Sequence, residues 1–350
     1  METSDRGLTK AAQDPDRAAE PSGRPAPPGS PAPARRIRTG RSRAGVPLRA
    51  TLALGLLTVV VGGAALALGA TTHDPFVAPG NPATGTYTAS RSAGDQAAAA
   101  VLAGPYKERP GPPVTSTRSA AGSPVPLPAS RPLTATPTAP APPIGALFSP
   151  EDDGDPAHYC TASVVDAPGG NLIVTAAHCV YDGGFRTRLV FGPGLHDGIA
   201  PYGLWVATRV DVDPRWISDR DPDRDVAFVR VRRHGRSDER IEDVTGAERI
   251  RFGAPPGRPA QLTGYPGDND TPLACRHTAD AQGPGQLRFP CAGFPTGTSG
   301  GPMLTDLDPE TGTGSLIGVI GGLDEGGDDA TSYSSRFGDA VAALYHRAAS

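Results

Sequence analysis

Gly297-Thr298-Ser299-Gly300-Gly301-Pro302 reads as a tight turn that lifts one serine clear of the backbone. Flanking glycines let such a turn present the serine hydroxyl and two backbone N–H groups to one point in space. Acyl transfer needs that combination: a nucleophile, with donors aimed at the oxyanion it creates. In a chain with 45 glycines and 40 prolines, the hexapeptide alone is equally a Gly-rich connection between strands. Two stretches upstream change its weight: Thr175-Ala176-Ala177-His178-Cys179 and Asp225-Val226-Ala227.

A catalytic histidine must be held rigidly and still reach the nucleophile. Ala176 and Ala177 allow close packing around His178, and Cys179 offers a covalent tether beside it. The six other histidines have no comparable surroundings. Asp225 opens the strand-like run Val226–Val231. An aspartate at a strand entry can be buried against a histidine, where it fixes the ring tautomer and stabilises the imidazolium. Singly, these are an ordinary core histidine and a turn aspartate like Asp219, Asp221 and Asp223. Together, His178, Asp225 and Ser299 stand in one of the known chain orders of the catalytic triad. The roles follow: Ser299 attacks, His178 carries its proton, and the N–H groups of Gly297 and Ser299 form the oxyanion hole.

From Ile144 onward the chain has short β-type runs between Gly/Pro/Asp clusters. They are His158–Val165, Asn171–Val174, Arg188–Phe191, Gly203–Asp213, Val226–Val231, Ala260–Tyr265, Leu316–Gly321 and Thr331–Ser335. That spacing predicts an all-β sandwich or barrel. Only the end reads as helix, with Asp339 as cap and Val341, Leu344 and Tyr345 on one face.

On these motifs, with Gly318-Val319-Ile320-Gly321-Gly322 at a cleft strand, residues from about 144 to 350 resemble the trypsin/chymotrypsin-like serine proteases. The compact bacterial members, similar to V8-like glutamyl endopeptidases, fit best, since only 74 positions separate Asp225 from Ser299. The resemblance implies two six-stranded antiparallel β-barrels, a cleft between them and a C-terminal helix. It implies a serine endopeptidase acting on protein or peptide substrates through an acyl-enzyme, as a monomer, with no cofactor and no metal. The alternative is a catalytically silent protease-like binding module. A membrane stress protease with an added peptide-binding module lacks room, since 51 residues follow Ser299.

Four cysteines permit three pairings. The resemblance implies Cys160 with Cys179, beside the histidine, which leaves Cys275 with Cys291 ahead of the serine turn. A zinc site drawn from His158, Cys160, His178, Cys179, Cys275 and His277 is the competing reading of these residues. Many relatives carry an acid just before the nucleophile, where Thr298 stands here. This predicts competence without a zymogen cut. The implied substrate cleft comprises Gly293, Ile320, Gly321, Gly322 and Leu323. Gly293 stands where Arg/Lys-specific relatives place an acid, and Ile320 where glutamyl-specific ones place a histidine. A small or apolar residue before the scissile bond is therefore expected. Asp324-Glu325 and Asp328-Asp329 read as solvated loops rather than calcium ligands.

Upstream, composition changes again. Pro and Gly together make about a quarter of the chain, and the prolines concentrate in its first 150 residues, which predicts an unfolded N-terminal region. Residues 1–49 read as a disordered segment, with Arg35, Arg36, Arg38, Arg41, Arg43 and Arg49 unrelieved by acid near its end. Residues 50–70 carry no charge and are just long enough for a spanning helix. The basic flank predicts a cytoplasmic start, with all that follows outside. The run is either a signal anchor in the membrane or a signal peptide cut after Ala65-Leu66-Ala67. Residues 71–143 read as an extended Pro/Ala/Thr-rich linker. A net charge of -4 without a basic face gives no nucleic-acid footprint.

Overall fold

The computed structural model describes residues 76–111, 127–151, 156–236, 238–308 and 311–350. The segment 1–49 and the apolar run 50–70 lie outside the described residues. Among the described residues no helix is long and apolar enough to cross a membrane.

Six strands form the first β-unit: β1 (Ile144–Phe148), β2 (His158–Val165), β3 (Leu172–Thr175), β4 (Val190–Pro193), β5 (Trp205–Val212) and β6 (Ala227–Arg233). Their order is β6-β3-β2-β1-β4-β5, and an antiparallel β5–β6 pairing closes the barrel. Closure fits the sequence. β3 reads Leu-Ile-Val-Thr without polar alternation and is buried on both faces, as a strand covered inside and outside must be. Leu147, Val164, Ile173, Phe191, Trp205 and Val229 fill the interior.

Six more strands follow: β7 (Arg258–Gly264), β8 (Leu273–Gln282), β9 (Gln286–Phe289), β10 (Pro302–Thr305), β11 (Ser315–Val319) and β12 (Ser332–Ser335). They run β11-β10-β7-β8-β9-β12, extended by Arg249–Ile250 on β11. The sheet curls until Val319 N–H donates to Ser334 Oγ (2.9 Å) and Gly321 N–H to Tyr333 O (3.0 Å). No strand ladder joins β11 to β12, so this sheet is hydrogen-bonded as an open one. The C-terminal helix spans Asp339–Ala349 and buries Val341, Leu344 and Ala348, while Tyr345 is half-buried. Its cap is Gly338. Asp339 is the first helical residue rather than the cap, where its carboxylate still complements the helix dipole.

The linker expected over 71–143 is in large part packed structure, and the compact unit runs from Thr71 to Ser350. Thr86–Thr88 adds antiparallel to β5, with Tyr87 opposite Val210. Helix α1 (Arg91–Ala103) is capped by Ser90 and buries Gly94, Ala97, Ala98 and Val101. These stand at i, i+3, i+4 and i+7, one face of a helix. The face is made of small residues because it lies against the barrel: a Cβ on Gly94 would come 3.1 Å from Val206 Cβ.

Candidate active site

β3 and β6 pair antiparallel with Thr175 opposite Ala227. The chain leaving β3 and the chain entering β6 therefore emerge at the same edge of the barrel. That register brings His178 and Asp225 together from 47 positions apart. Asp225 is fully buried. Its Oδ1 accepts the His178 backbone N–H at 2.9 Å, and its Oδ2 lies 2.8 Å from His178 Nδ1. The same Oδ2 accepts the Gly322 N–H at 2.8 Å. The imidazole is thus gripped at both its ring and its backbone, and Nδ1 is committed as the donor to Asp225. Burial pushes the His178 pKa down, but the charge and hydrogen bond of Asp225 outweigh it, helped by Glu325 and opposed by Arg220. The net result lies above the ordinary histidine value.

Ser299 sits in the turn before β10, and each glycine of that turn is required by space. Gly297 has φ +100 and Gly300 φ +80, both in the left-handed half of backbone space. A Cβ would lie 2.1 Å from Gly267 N at Gly297, and 2.1 Å from Thr175 Oγ1 at Gly300. The turn is fastened from two sides. Thr161 on β2 donates its N–H to Ser299 O (2.7 Å) and its hydroxyl to Gly297 O (3.1 Å). Across from it, Gly300 N–H donates to Ile320 O (2.7 Å). Thr298 is buried and donates both its N–H and its hydroxyl to Pro295 O. The N–H groups of Gly297 and Ser299 have no acceptor among the described residues.

Ser299 and His178 line one cavity of about 420 Å³. No hydrogen bond joins Ser299 Oγ to His178 in this structure. Of the cleft positions expected from sequence, Ile320 lines the cavity. Gly321 and Gly322 lie behind Asp225, and Leu323 N–H donates to Gln286 Oε1 (3.3 Å). Gly293 N–H donates to Asp329 O (2.9 Å) in the adjoining loop, while the neighbouring Phe294 reaches the cavity wall. Asp324, Glu325 and Asp328 line the same wall. Sequence reasoning did not find the parts played by Thr161 or Gly322, whose backbone groups carry no signal by residue type. Arg186, also on the wall, was missed as well.

Cys160 is bonded to Cys179 and Cys275 to Cys291. Among the described residues, the one group of metal-type side chains within reach of each other is Cys160, His178 and Cys179. There the two sulfurs are bonded to one another, which removes the zinc alternative at the histidine.

A buried carboxylate holding an imidazole, a serine in the same cavity and two unused N–H groups beside it are the parts that acyl transfer requires. Comparison with known proteins agrees. Residues 160–319 match the family model described as a trypsin-like peptidase domain. A search of curated proteins finds no match. Among solved structures, the protease Anisep from Arthrobacter nicotinovorans is 25% identical, with a TM-score of 0.54 over 62% of this chain and 99% of that one. The thermostable serine protease AL20 from an extremophilic microorganism is 24% identical, with a TM-score of 0.52 over 60% and 97%; it shares the fold. With residues 160–319, from β2 through the serine turn to β11, matching a trypsin-like peptidase domain, and with solved proteases sharing the fold, this chain is a serine endopeptidase of trypsin-like fold.

Proposed function

We propose that the chain is an exported endopeptidase that cleaves peptide bonds through His178, Asp225 and Ser299. The carrying observation is the Asp225 carboxylate, which takes two hydrogen bonds from His178 and one from Gly322. Held in that way, His178 keeps Nε2 free to act as base. Ser299 Oγ attacks the scissile carbonyl carbon as His178 removes its proton. The oxyanion settles against the N–H groups of Gly297 and Ser299. His178⁺ then protonates the leaving amine, and the C–N bond breaks to leave an acyl-Ser299. Water deprotonated by His178 attacks that ester, the bond from the acyl carbon to Ser299 Oγ breaks to release the carboxylic acid, and the proton returns to Ser299 Oγ. Asp225 stays ionised throughout and stabilises the imidazolium.

Curling of β7–β12 toward closure supports a second barrel, with the cleft between it and the first. Phe294 and Ile320 on the cavity wall support a small or apolar residue before the scissile bond. Two disulfides fit an oxidising compartment, which supports export led by the apolar run 50–70.

The missing Ser299–His178 hydrogen bond is also what a silent binding module would display, although such bonds are often long before substrate binds. A fluorophosphonate probe separates the two. It should label the wild-type chain at Ser299, fail on Ser299→Ala and react far more slowly with His178→Ala. An unlabelled wild-type protein would leave the silent module standing.

A further inference from the structure

Two arginines line the cavity that holds Ser299 and His178, and their situations differ. Arg220 is neutralised: Nη2 lies 2.7 Å from Asp182 Oδ1, Nη1 donates to Tyr181 O, and the group stacks on Trp216 and Tyr181. Arg186 makes no side-chain hydrogen bond or ion pair among the described residues, and its Nε is shut from solvent without an acceptor.

The guanidinium of Arg186 lies over the Tyr159 ring, 4.9 Å from its centroid. The Tyr159 hydroxyl donates to Cys179 O, and Cys179 is bonded to Cys160. The platform under Arg186 is therefore rigid. The strand that carries it, Phe185–Arg186, pairs with Val77–Ala78, and Thr187 N–H donates to Phe76 O. The upstream segment thus pins this arginine from behind. With Nε shut from solvent, the two Nη groups of the stacked guanidinium are the ones left to take a carboxylate, end-on and bidentately.

Charge across the cleft is polarised. Ile320 is bonded to Gly300 and Gly301, so the acid-bearing wall that follows it flanks Ser299 on one side. Thr161 is bonded to Gly297 O and Ser299 O, so Tyr159, Cys160 and Arg186 flank it on the other. Phe294, beside the oxyanion turn, and Ile320 mark the first side as the acyl side. Asp324, Glu325 and Asp328 on that wall repel a carboxylate, which leaves Arg186 to attract one.

We propose that Arg186 binds a carboxylate of the substrate on the leaving-group side of the scissile bond. The carboxylate is either an Asp or Glu side chain within the first few residues after the cut or the free C-terminus of a short peptide. This rests on the triad proposed above and specifies its substrate. Attraction at one wall and repulsion at the other together set a preference.

The test uses the full chain and paired peptides that share one acyl side. One arm places Asp or Glu against Asn or Gln at each of the first three positions after the cut. The other compares free with amidated C-termini. Expected is an acid-over-neutral ratio in kcat/KM of about tenfold or more, the size of one charge-assisted hydrogen bond. The ratio should fall to about one in Arg186→Gln, persist in part in Arg186→Lys and shrink with added salt. Whichever arm carries the ratio identifies the source of the carboxylate. No acid preference on the leaving side, or one that Arg186→Gln leaves intact, overturns the proposal. Fluorescence anisotropy of labelled leaving-side peptides on Ser299→Ala repeats the comparison without turnover. Acid-selective binding there, with no probe labelling of the wild type, would sink the triad but keep Arg186; equal binding of acid and amide peptides would sink Arg186 alone.

Discussion

Gly321 stands so close to Asp225 that a Cβ at that position would lie 2.9 Å from Oδ2. It would also meet Ala176 Cβ at 3.2 Å. The carboxylate occupies a slot whose back wall is main chain, closed by the Gly322 N–H. Gly321→Ala has to push the carboxylate or the strand aside. Displacements of about 1 Å at a reacting group cost on the order of 100-fold. The expected outcome is a loss of that size in kcat with KM little changed, read from steady-state kinetics on one peptide. Turnover within twofold of wild type would show that the slot is not needed.

On the proposed mechanism, the raised His178 pKa sets the acid limb of activity. His178 serves as base only when neutral, so kcat/KM should fall as pH drops through a value above the ordinary 6.5. Glu325 raises that pKa and Arg220 lowers it. Glu325→Gln should therefore shift the limb to lower pH and Arg220→Gln to higher pH. Full pH–kcat/KM profiles of the three proteins check both directions. Shifts of the same sign in both variants would refute the charge assignment.

Glu248 is fully buried; Oε2 accepts the Gly314 N–H at 2.6 Å, and Oε1 has no partner among the described residues. Burial pushes its pKa from 4.5 up to about 8, against the Gly314 hydrogen bond. A folded carboxyl that resists ionisation costs stability as pH rises from the unfolded value toward the folded one. The slope approaches about 1.4 kcal/mol per pH unit within that window and vanishes beyond it. Glu248→Gln should change little at pH 4 and stabilise increasingly up to about pH 8. Denaturant melts at pH 4, 6 and 8 test this; a constant difference across the three would contradict it.

The belt of residues 76–111, within the stretch expected to be a linker, covers barrel surface. Removing it takes away Ala97, Ala98 and Val101 and uncovers the β5 face they cover. A chain starting near Ile144 should melt several degrees lower and bind an apolar dye that the longer chain excludes. If it also loses the acid preference assigned to Arg186, the pairing of Val77 with Arg186 is what holds that side chain in place. Equal melting temperatures for the two lengths would show that the belt adds nothing.

Much of the site was legible because each triad residue carries its own backbone context. Asp225 opens a strand, His178 follows a run of small residues, and Ser299 is walled by glycines. Their meeting was not legible, because it depends on the register that sets Thr175 against Ala227. Helix α1 escaped notice because its buried face is Gly94, Ala97, Ala98 and Val101, too small to stand out in a Pro-rich stretch. β8 was missed for a related reason: Arg276, Asp280 and Gln282 on its exposed positions mask the buried Cys275 and Ala279. The cleft glycines were found but given the wrong neighbour, since only the folded chain puts Asp225 behind Gly321. Arg186 lies in a strand of two residues, below what any periodic pattern can register.

Thr298 gives both its hydrogen bonds to Pro295 O, three residues earlier, and its Cβ packs where Gly264 leaves room. The nucleophile turn is thereby tied to the segment that leads into it, and among the described residues no salt bridge links it to a distant chain end. The shape of the oxyanion hole is then indifferent to what precedes Phe76. Fusion partners, tags or a retained membrane anchor at that end should leave the catalytic turn as it is. On the proposed reading, control over such an enzyme would fall to where it is delivered and what it meets there, rather than to a maturing cut.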